Sequence, residues 1–258
     1  MELSKKEDTC DEIYLLILFI IIIILYFDYI YFSNCNLDKL EMTEQDKNDI
    51  FKYLEYFINL LNKHNIIYWI IGGTTLGAVR HNDIVPWDDD ADIGIFEDDM
   101  HKLLELKEEL AKDGFEIIHY WKIFKFRKIN QEYPFIDIFL YKKSEDKYIM
   151  HRDDLISVWP NEYYLEEELF PLKQYKFGNL LLNGPNYPLD YLDRMYPNWR
   201  FVGKHIFDHK ENKKTNITIE LDQNNPEHKL KPLLYINSEK NTKKIYDETY
   251  NEKIVTIE

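Results

Sequence analysis

Residues 66–94 read IIYWIIGGTTLGAVRHNDIVPWDDDADIG, and this stretch decides the fold. Its opening, Ile66 to Ile71, is short, apolar and rich in β-branched side chains. It stops at Gly72-Gly73, which predicts a strand followed by a tight turn. Thr74 or Thr75 then opens a short helix through Arg80. Pro86 and Trp87 break the chain, and a second strand is expected from Asp90 onward. Side chains alternate along a strand, so Asp88, Asp90 and Asp92 share one face while Asp89, Ala91 and Ile93 share the other. Three carboxylates on one face repel one another unless a cation neutralises them, and hard oxygen ligands suit Mg²⁺, Mn²⁺ or Ca²⁺ better than zinc. A solvated acidic loop is the bland alternative, but apolar residues hem this cluster in.

A second acid stands alone in Pro134-Phe-Ile-Asp-Ile-Phe-Leu140. Asp137 in so apolar a strand needs a cation or hydrogen-bond donors, and a metal held by the first cluster would supply one. The turn at Gly72, Gly73, Thr74 and Thr75 lies between a strand and a helix, where backbone N–H groups can approach a phosphate. Arg80, about two turns further on, is placed to pair with phosphate oxygens. Lys125 and Arg127 share one face of the strand leading toward Asp137, facing either donor phosphates or solvent. The Asp-x-Asp-x-Asp spacing also resembles a calcium-binding EF-hand loop. That match fails because Ile93 stands where the obligatory Gly should follow Asp92.

Outward from this centre, Thr43 to Asn65 reads as an amphipathic helix, capped by Thr43 and with Ile50, Leu54, Phe57, Ile58 and Leu61 at helical spacing. A charged helix is expected from Asp98 to Lys112, stopped by Gly114. Single strands are expected over 117–129 and 135–141. Residues 166–201, rich in aromatics, Pro and Gly, suggest a packed irregular lobe, and the polar chain beyond Gly203 a poorly packed appendage. The fold class is therefore α/β (α+β), a mixed β-sheet core with flanking helices.

The chain of 258 residues holds one sizeable domain plus extras. Its formal charge of −15 speaks against nucleic acid as a partner, because phosphate backbones require a basic surface. Residues 13–32 are almost free of charge, interrupted by Asp28. About 20 such residues cross a hydrocarbon core of roughly 30 Å, so one transmembrane anchor is expected there. Lys5 and Lys6 precede it, which places residues 1–12 as a short cytoplasmic tail and the remainder in the lumen. Cys10 and Cys35 flank the run and fit neither a zinc site nor a nucleophile.

The stretch from Gly72 to His81, continuing through Ile84-Val85-Pro86-Trp87 into Asp88-Asp89-Asp90-Ala91-Asp92-Ile93-Gly94, closely resembles the signature of the LicD and fukutin-related proteins. Phe135-Ile136-Asp137-Ile138-Phe139 looks like the third-acid strand of that family, and Phe170-Pro171-Leu172 and Pro188 to Trp199 are also similar. The resemblance covers roughly residues 45–201, departing at His81-Asn82-Asp83, where a Gly is common after the His. It implies a nucleotidyltransferase-like core and a phosphotransferase that moves a substituted phosphate, such as phosphocholine or an alditol phosphate, from a CDP-linked donor to a glycan hydroxyl. By motif matching, the resemblance implies Asp90 and Asp92 as the metal-binding pair for Mg²⁺ or Mn²⁺ and Asp137 as the third acid, with Asp88 a further ligand or base. As a separate expectation, Asp88 or Asp89 accepts the proton of the acceptor hydroxyl. Anchored lumenal relatives imply a type II membrane protein of a Golgi- or ER-like compartment. The expected organisation is anchor 13–32, stem 33–42, catalytic domain 43–203 and appendage 204–258. Two rival readings are a nucleotidyltransferase with another acceptor and a non-catalytic membrane-anchored interaction protein.

Overall fold

The computed structural model describes residues 14–26, 42–222, 224–226, 228–236, 242–246 and 252–256. The chain divides into two units, 1–41 and 42–258. In the first, residues 14–26 form a helix, α1, whose side chains are exposed throughout. Among the described residues no helix is long and apolar enough to cross a membrane. The expected tail, nearly all of the stem and the rest of the 13–32 run lie outside the described residues.

The second unit opens with α2 (Glu44–Lys63). Thr43 caps it, its side chain accepting from the Asp46 amide at 3.1 Å, as a residue of its type does at a helix N-terminus. The apolar stripe Ile50, Leu54, Phe57, Ile58 and Leu61 is buried. It packs over a seven-stranded sheet whose main path is β1 (Tyr68–Ile70), β2 (Ala91–Phe96), β3 (Phe115–Tyr120), β4 (Ile123–Lys128) and β5 (Phe135–Ser144), two further strands continuing from β5. The spatial order is β1-β2-β5-β4-β3. β2 and β5 run parallel, and the other neighbours in that order run antiparallel. A parallel pair needs a crossover. The chain between β2 and β5 supplies it with a 3₁₀ turn (Glu97–Asp99), α4 (Met100–Glu105), α5 (Lys107–Lys112) and the β3–β4 hairpin. Residues Phe135 to Tyr141 of β5 are buried on both faces, as expected for a central strand.

Three local expectations change. The strand expected over 117–129 is a hairpin, because Trp121 takes a left-handed φ of +52° and turns the chain without Gly or Asn. The helix expected over 98–112 is split at Leu106 into α4 and α5. The lobe 166–201 is regular. It contains α7 (Glu166–Leu169), β8 (Lys173–Phe177), β9 (Leu180–Gly184) and α8 (Pro188–Met195), following β6 (Lys147–Met150), α6 (Asp153–Val158) and β7 (Tyr163–Leu165). The alternation in β8, with Lys173, Tyr175 and Phe177 buried and Gln174 and Lys176 exposed, is the period of a half-buried strand.

Beyond Gly203 the chain forms a hairpin of β10 (Val202–Asp208) and β11 (Lys213–Glu220). The strands β12 (Leu234–Ile236), β13 (Thr242–Tyr246) and β14 (Glu252–Thr256) extend β8 and β9 into a five-stranded sheet. The β10–β11 hairpin is seated on the domain where Gly203 lies so close to the indole of Trp87 that a Cβ would collide with it. It carries its tip toward the acidic segment.

The Phe57 ring stacks on Phe126 of β4 with centroids 4.4 Å apart, and both are fully buried. Phe57→Ala removes that contact and leaves a cavity, so chemical denaturation should register a loss of about 3–5 kcal/mol.

Candidate active site

The parallel register of β2 and β5 sets Asp92 directly beside Asp137, and the antiparallel register of β4 and β5 sets Lys125 on the other side of Asp137. Asp90, just before β2, completes a group whose carboxylate oxygens from Asp90, Asp92 and Asp137 all lie within 4.8 Å of one another. Asp90 and Asp137 are 6% and 7% exposed, so their charges are not dissipated in water. Lys125 Nζ stands 3.1 Å from Asp137 Oδ1 and rests on the Phe135 ring. That oxygen nevertheless accepts no well-formed hydrogen bond.

The glycine-threonine turn opens α3 (Gly72–Arg80), and its job in this structure is to hold the acids. Gly72 has φ +52°, and a Cβ there would come within 2.9 Å of Asp92 Oδ2. A Cβ on Gly73 would collide with the carboxylate of Asp88. The Asp92 amide donates to Thr74 Oγ1 at 2.7 Å, and Thr75 Oγ1 donates to the Ile70 carbonyl at 2.9 Å. The Gly72 amide, expected to face a phosphate, instead donates to the Tyr191 hydroxyl at 2.8 Å. Tyr191 in turn donates to Glu162 at 2.7 Å, and Tyr141 donates to the other Glu162 oxygen at 2.8 Å.

Arg80 also departs from its expected role. It is fully buried, with Nε donating to His81 Nε2 and Nη1 to the Trp199 carbonyl, each at 2.8 Å. Its guanidinium ties the segment after α8 to α3, and its charge favours the ionised form of Asp88. Asp88 is half-buried beside Gly73. Asp89 is engaged by the β10–β11 hairpin: its two oxygens accept from the His209 amide at 2.7 Å and meet His209 Nδ1 at 2.6 Å. His209 Nε2 lies 3.5 Å from Asp90 Oδ2.

Burial, followed by mutual repulsion, drives the carboxylates upward. Asp88 is held well above the usual range by burial and by Asp90 and Asp89, and Asp92 by burial and by Asp90 and Asp137. Burial also raises Asp90, against the pull of His209, while Asp137 is pushed up to about 7 by burial and Asp90, with Lys125 offsetting part of the rise. Burial opposes charge on His209, but Asp90 and the Asp89 hydrogen bond outweigh it and bring it to about 9. A divalent cation answers this arrangement. Asp90, Asp92 and Asp137 form an all-oxygen donor set that is largely buried and mutually repelling, which fits Mg²⁺ or Mn²⁺.

Glu162, Tyr191 and His209 do not stand out in the sequence. Glu162 sits in an ordinary Asn-Glu-Tyr-Tyr run, and the polar surroundings of His209 resemble a solvated tail.

Two measurements check the site. Thr74→Val leaves the buried Asp92 amide without its acceptor, so it should cost about 1–3 kcal/mol in denaturation and weaken divalent-cation binding. The folded value for Asp137, about 7, lies above its ordinary 3.8. Its contribution to stability is therefore full below about pH 4 and lost as pH rises through 7. In chelator, the melting temperature should fall between about pH 4 and 7, Asp137→Asn should flatten that fall, and Mg²⁺ or Mn²⁺ should reverse it.

Residues 65–187 match the family model for the LicD/FKTN/FKRP nucleotidyltransferase domain. The chain is 35% identical over 176 residues to an uncharacterized protein of Rickettsia typhi, covering 66% of this chain and 53% of that one. It is 42% identical over 52 residues to the ribitol 5-phosphate transferase FKRP of Homo sapiens, covering 20% and 10%. It is 38% identical over 53 residues to the lipopolysaccharide cholinephosphotransferase LicD of Haemophilus influenzae, covering 20% of each. The chain spans 53% of the Rickettsia typhi relative and 62% of one from Rickettsia prowazekii. Residues 65–187 of this chain are thus similar to the LicD/FKTN/FKRP nucleotidyltransferase domain.

Proposed function

We propose that this protein is a metal-dependent phosphotransferase that moves a substituted phosphate, of the phosphocholine or alditol phosphate type, from a CDP-linked donor to a hydroxyl of a glycan or glycoconjugate. The observation that carries the reading is the convergence of Asp92 and Asp137, on adjacent parallel strands, with Asp90 just before the first of them. It is joined by relatives named as a ribitol 5-phosphate transferase and a cholinephosphotransferase.

In the proposed reaction the acceptor oxygen bonds to the phosphorus of the transferred group, and the bond from that phosphorus to the bridging oxygen breaks. Cytidine monophosphate leaves, and the acceptor proton passes to a carboxylate. Such transfers depend on positioning and charge neutralisation more than on covalent help from the protein. When bound, Mg²⁺ or Mn²⁺ supplies the neutralising charge for the donor diphosphate. Asp90, Asp92 and Asp137 would hold it. With Asp89 engaged by His209, Asp88 is the carboxylate left to take the proton. Gly73 and Thr74 retain a proposed role at the donor phosphates, while the burial of Arg80 and the pairing of the Gly72 amide argue against direct contacts from those two groups.

The setting belongs to the same proposal: an anchor within 13–32 and a lumenal catalytic domain, supported by the apolar run and by Lys5 and Lys6. Asn216-Ile217-Thr218 is an exposed glycosylation sequon that would then face the lumen.

Asp90→Asn, Asp92→Asn and Asp137→Asn should each reduce transfer by at least about 10²–10³-fold. Each should leave chelator-treated protein as stable as the parent or more so, because removing one like charge relieves repulsion. Exposed Asp98→Asn should be silent. The assay is release of cytidine monophosphate from CDP-choline and CDP-ribitol in Mg²⁺ or Mn²⁺; undiminished release in the Asp90 and Asp92 variants would refute the assignment.

A further inference from the structure

We infer that His209 is a nitrogen ligand for a divalent cation that it shares with Asp90, and that Asp89 is the carboxylate that orients its ring. The inference rests on the metal-dependent reading above and adds to it a residue from outside the 65–187 domain.

The first argument is the commitment of Asp89. One of its oxygens accepts from the His209 backbone amide and the other meets Nδ1, so both are used in fixing a single residue. A histidine whose Nδ1–H is held by a carboxylate presents the Nε2 lone pair in a fixed direction. This is the usual arrangement behind a metal-ligating imidazole. The ring is steadied further by Phe135, edge-on at 5.3 Å between centroids, and by Phe207 at 5.0 Å.

The second argument is where Nε2 points. It stands 3.5 Å from Asp90 Oδ2, beyond the usual reach of a charge-assisted hydrogen bond. Two ligand atoms on adjacent corners of an octahedral ion with bonds of about 2.1 Å sit roughly 3 Å apart, so a small closing movement suffices. Ligand atoms from Asp89, Asp90 and His209 lie within 4.8 Å of one another, and Asp90 belongs to this group and to the group with Asp92 and Asp137. Asp90 is thus the residue through which the two groups adjoin. On binding, the cation takes the place of any proton on Nε2, which leaves to solvent.

An imidazole in the donor set changes which ion is preferred. Mg²⁺ favours oxygen ligands and keeps its water, whereas Mn²⁺ and later first-row ions accept nitrogen readily. The chain is thereby expected to prefer Mn²⁺ over Mg²⁺ by tenfold or more.

The test uses the full chain with Mn²⁺ alone. Pulsed electron paramagnetic resonance of bound Mn²⁺ should show modulation from a coordinated imidazole nitrogen, and ¹⁵N-histidine labelling should alter it. In His209→Gln, Mn²⁺ should still bind through Asp90, Asp92 and Asp137, with the nitrogen signal gone and the preference over Mg²⁺ reduced at least tenfold. Asp89→Asn should weaken Mn²⁺ binding by about 10–100-fold. The labelled parent protein reads the ligand directly, so the outcome stands even if a variant folds poorly. Mn²⁺ bound with oxygen ligands alone, or a nitrogen signal unchanged in His209→Gln, overturns this inference and leaves the metal-dependent reading intact. Failure of the parent chain to bind Mn²⁺ overturns both.

Discussion

The parallel pairing of β2 with β5 puts two carboxylates, Asp92 and Asp137, side by side in the interior of the domain, with Asp90 above them. Two like charges about 4 Å apart at an effective dielectric near 20 repel by about 4 kcal/mol. Three acids in mutual reach incur that repulsion in every pair. Lys125 stands against one of them and His209 near another, so the resident cations offset only part of it. The remainder must be met by protonation or by a bound ion. The proposed metal centre is the reading in which a bound ion meets that remainder.

The surrounding structure is arranged to keep that tension in place. Gly72 and Gly73 lack side chains because the carboxylates of Asp92 and Asp88 lie where a Cβ would be. Thr74 satisfies the Asp92 amide, and the Tyr191–Glu162–Tyr141 network pins Gly72 from behind. Arg80 joins α3 to the chain after α8 through the Trp199 carbonyl. The β10–β11 hairpin, seated on Trp87 through Gly203, closes over the cluster and delivers His209. Ordering a polar hairpin against a buried acidic group incurs an entropy cost, which its paired contacts with Asp89 help to meet.

Much of this centre is legible in the residues themselves. An acid in an apolar strand, as at Asp137, and alternating acids after a Pro-Trp break are improbable without a ligand, and both are brought together by the register. The Thr43 cap and the apolar stripe of α2 are likewise readable, because local propensity and burial agree there. What escapes is non-local. The Trp121 turn uses a left-handed aromatic residue in place of the usual Gly or Asn, so a hairpin reads as one strand. The Gly-Gly-Thr-Thr turn has the composition of a phosphate loop, and only the packing shows its amide at Gly72 turned to Tyr191 and its glycines turned to carboxylates. His209 is indistinguishable from its polar neighbours until a contact 120 residues away in sequence defines it.

The most direct test of this account is a crystal of the catalytic unit grown with Mn²⁺ and CDP, with anomalous diffraction collected at the manganese edge. The account predicts an anomalous peak within bonding distance of Asp90, Asp92 and Asp137. An empty cluster at saturating Mn²⁺, with the three carboxylates satisfied by Lys125 and protein donors alone, would contradict it.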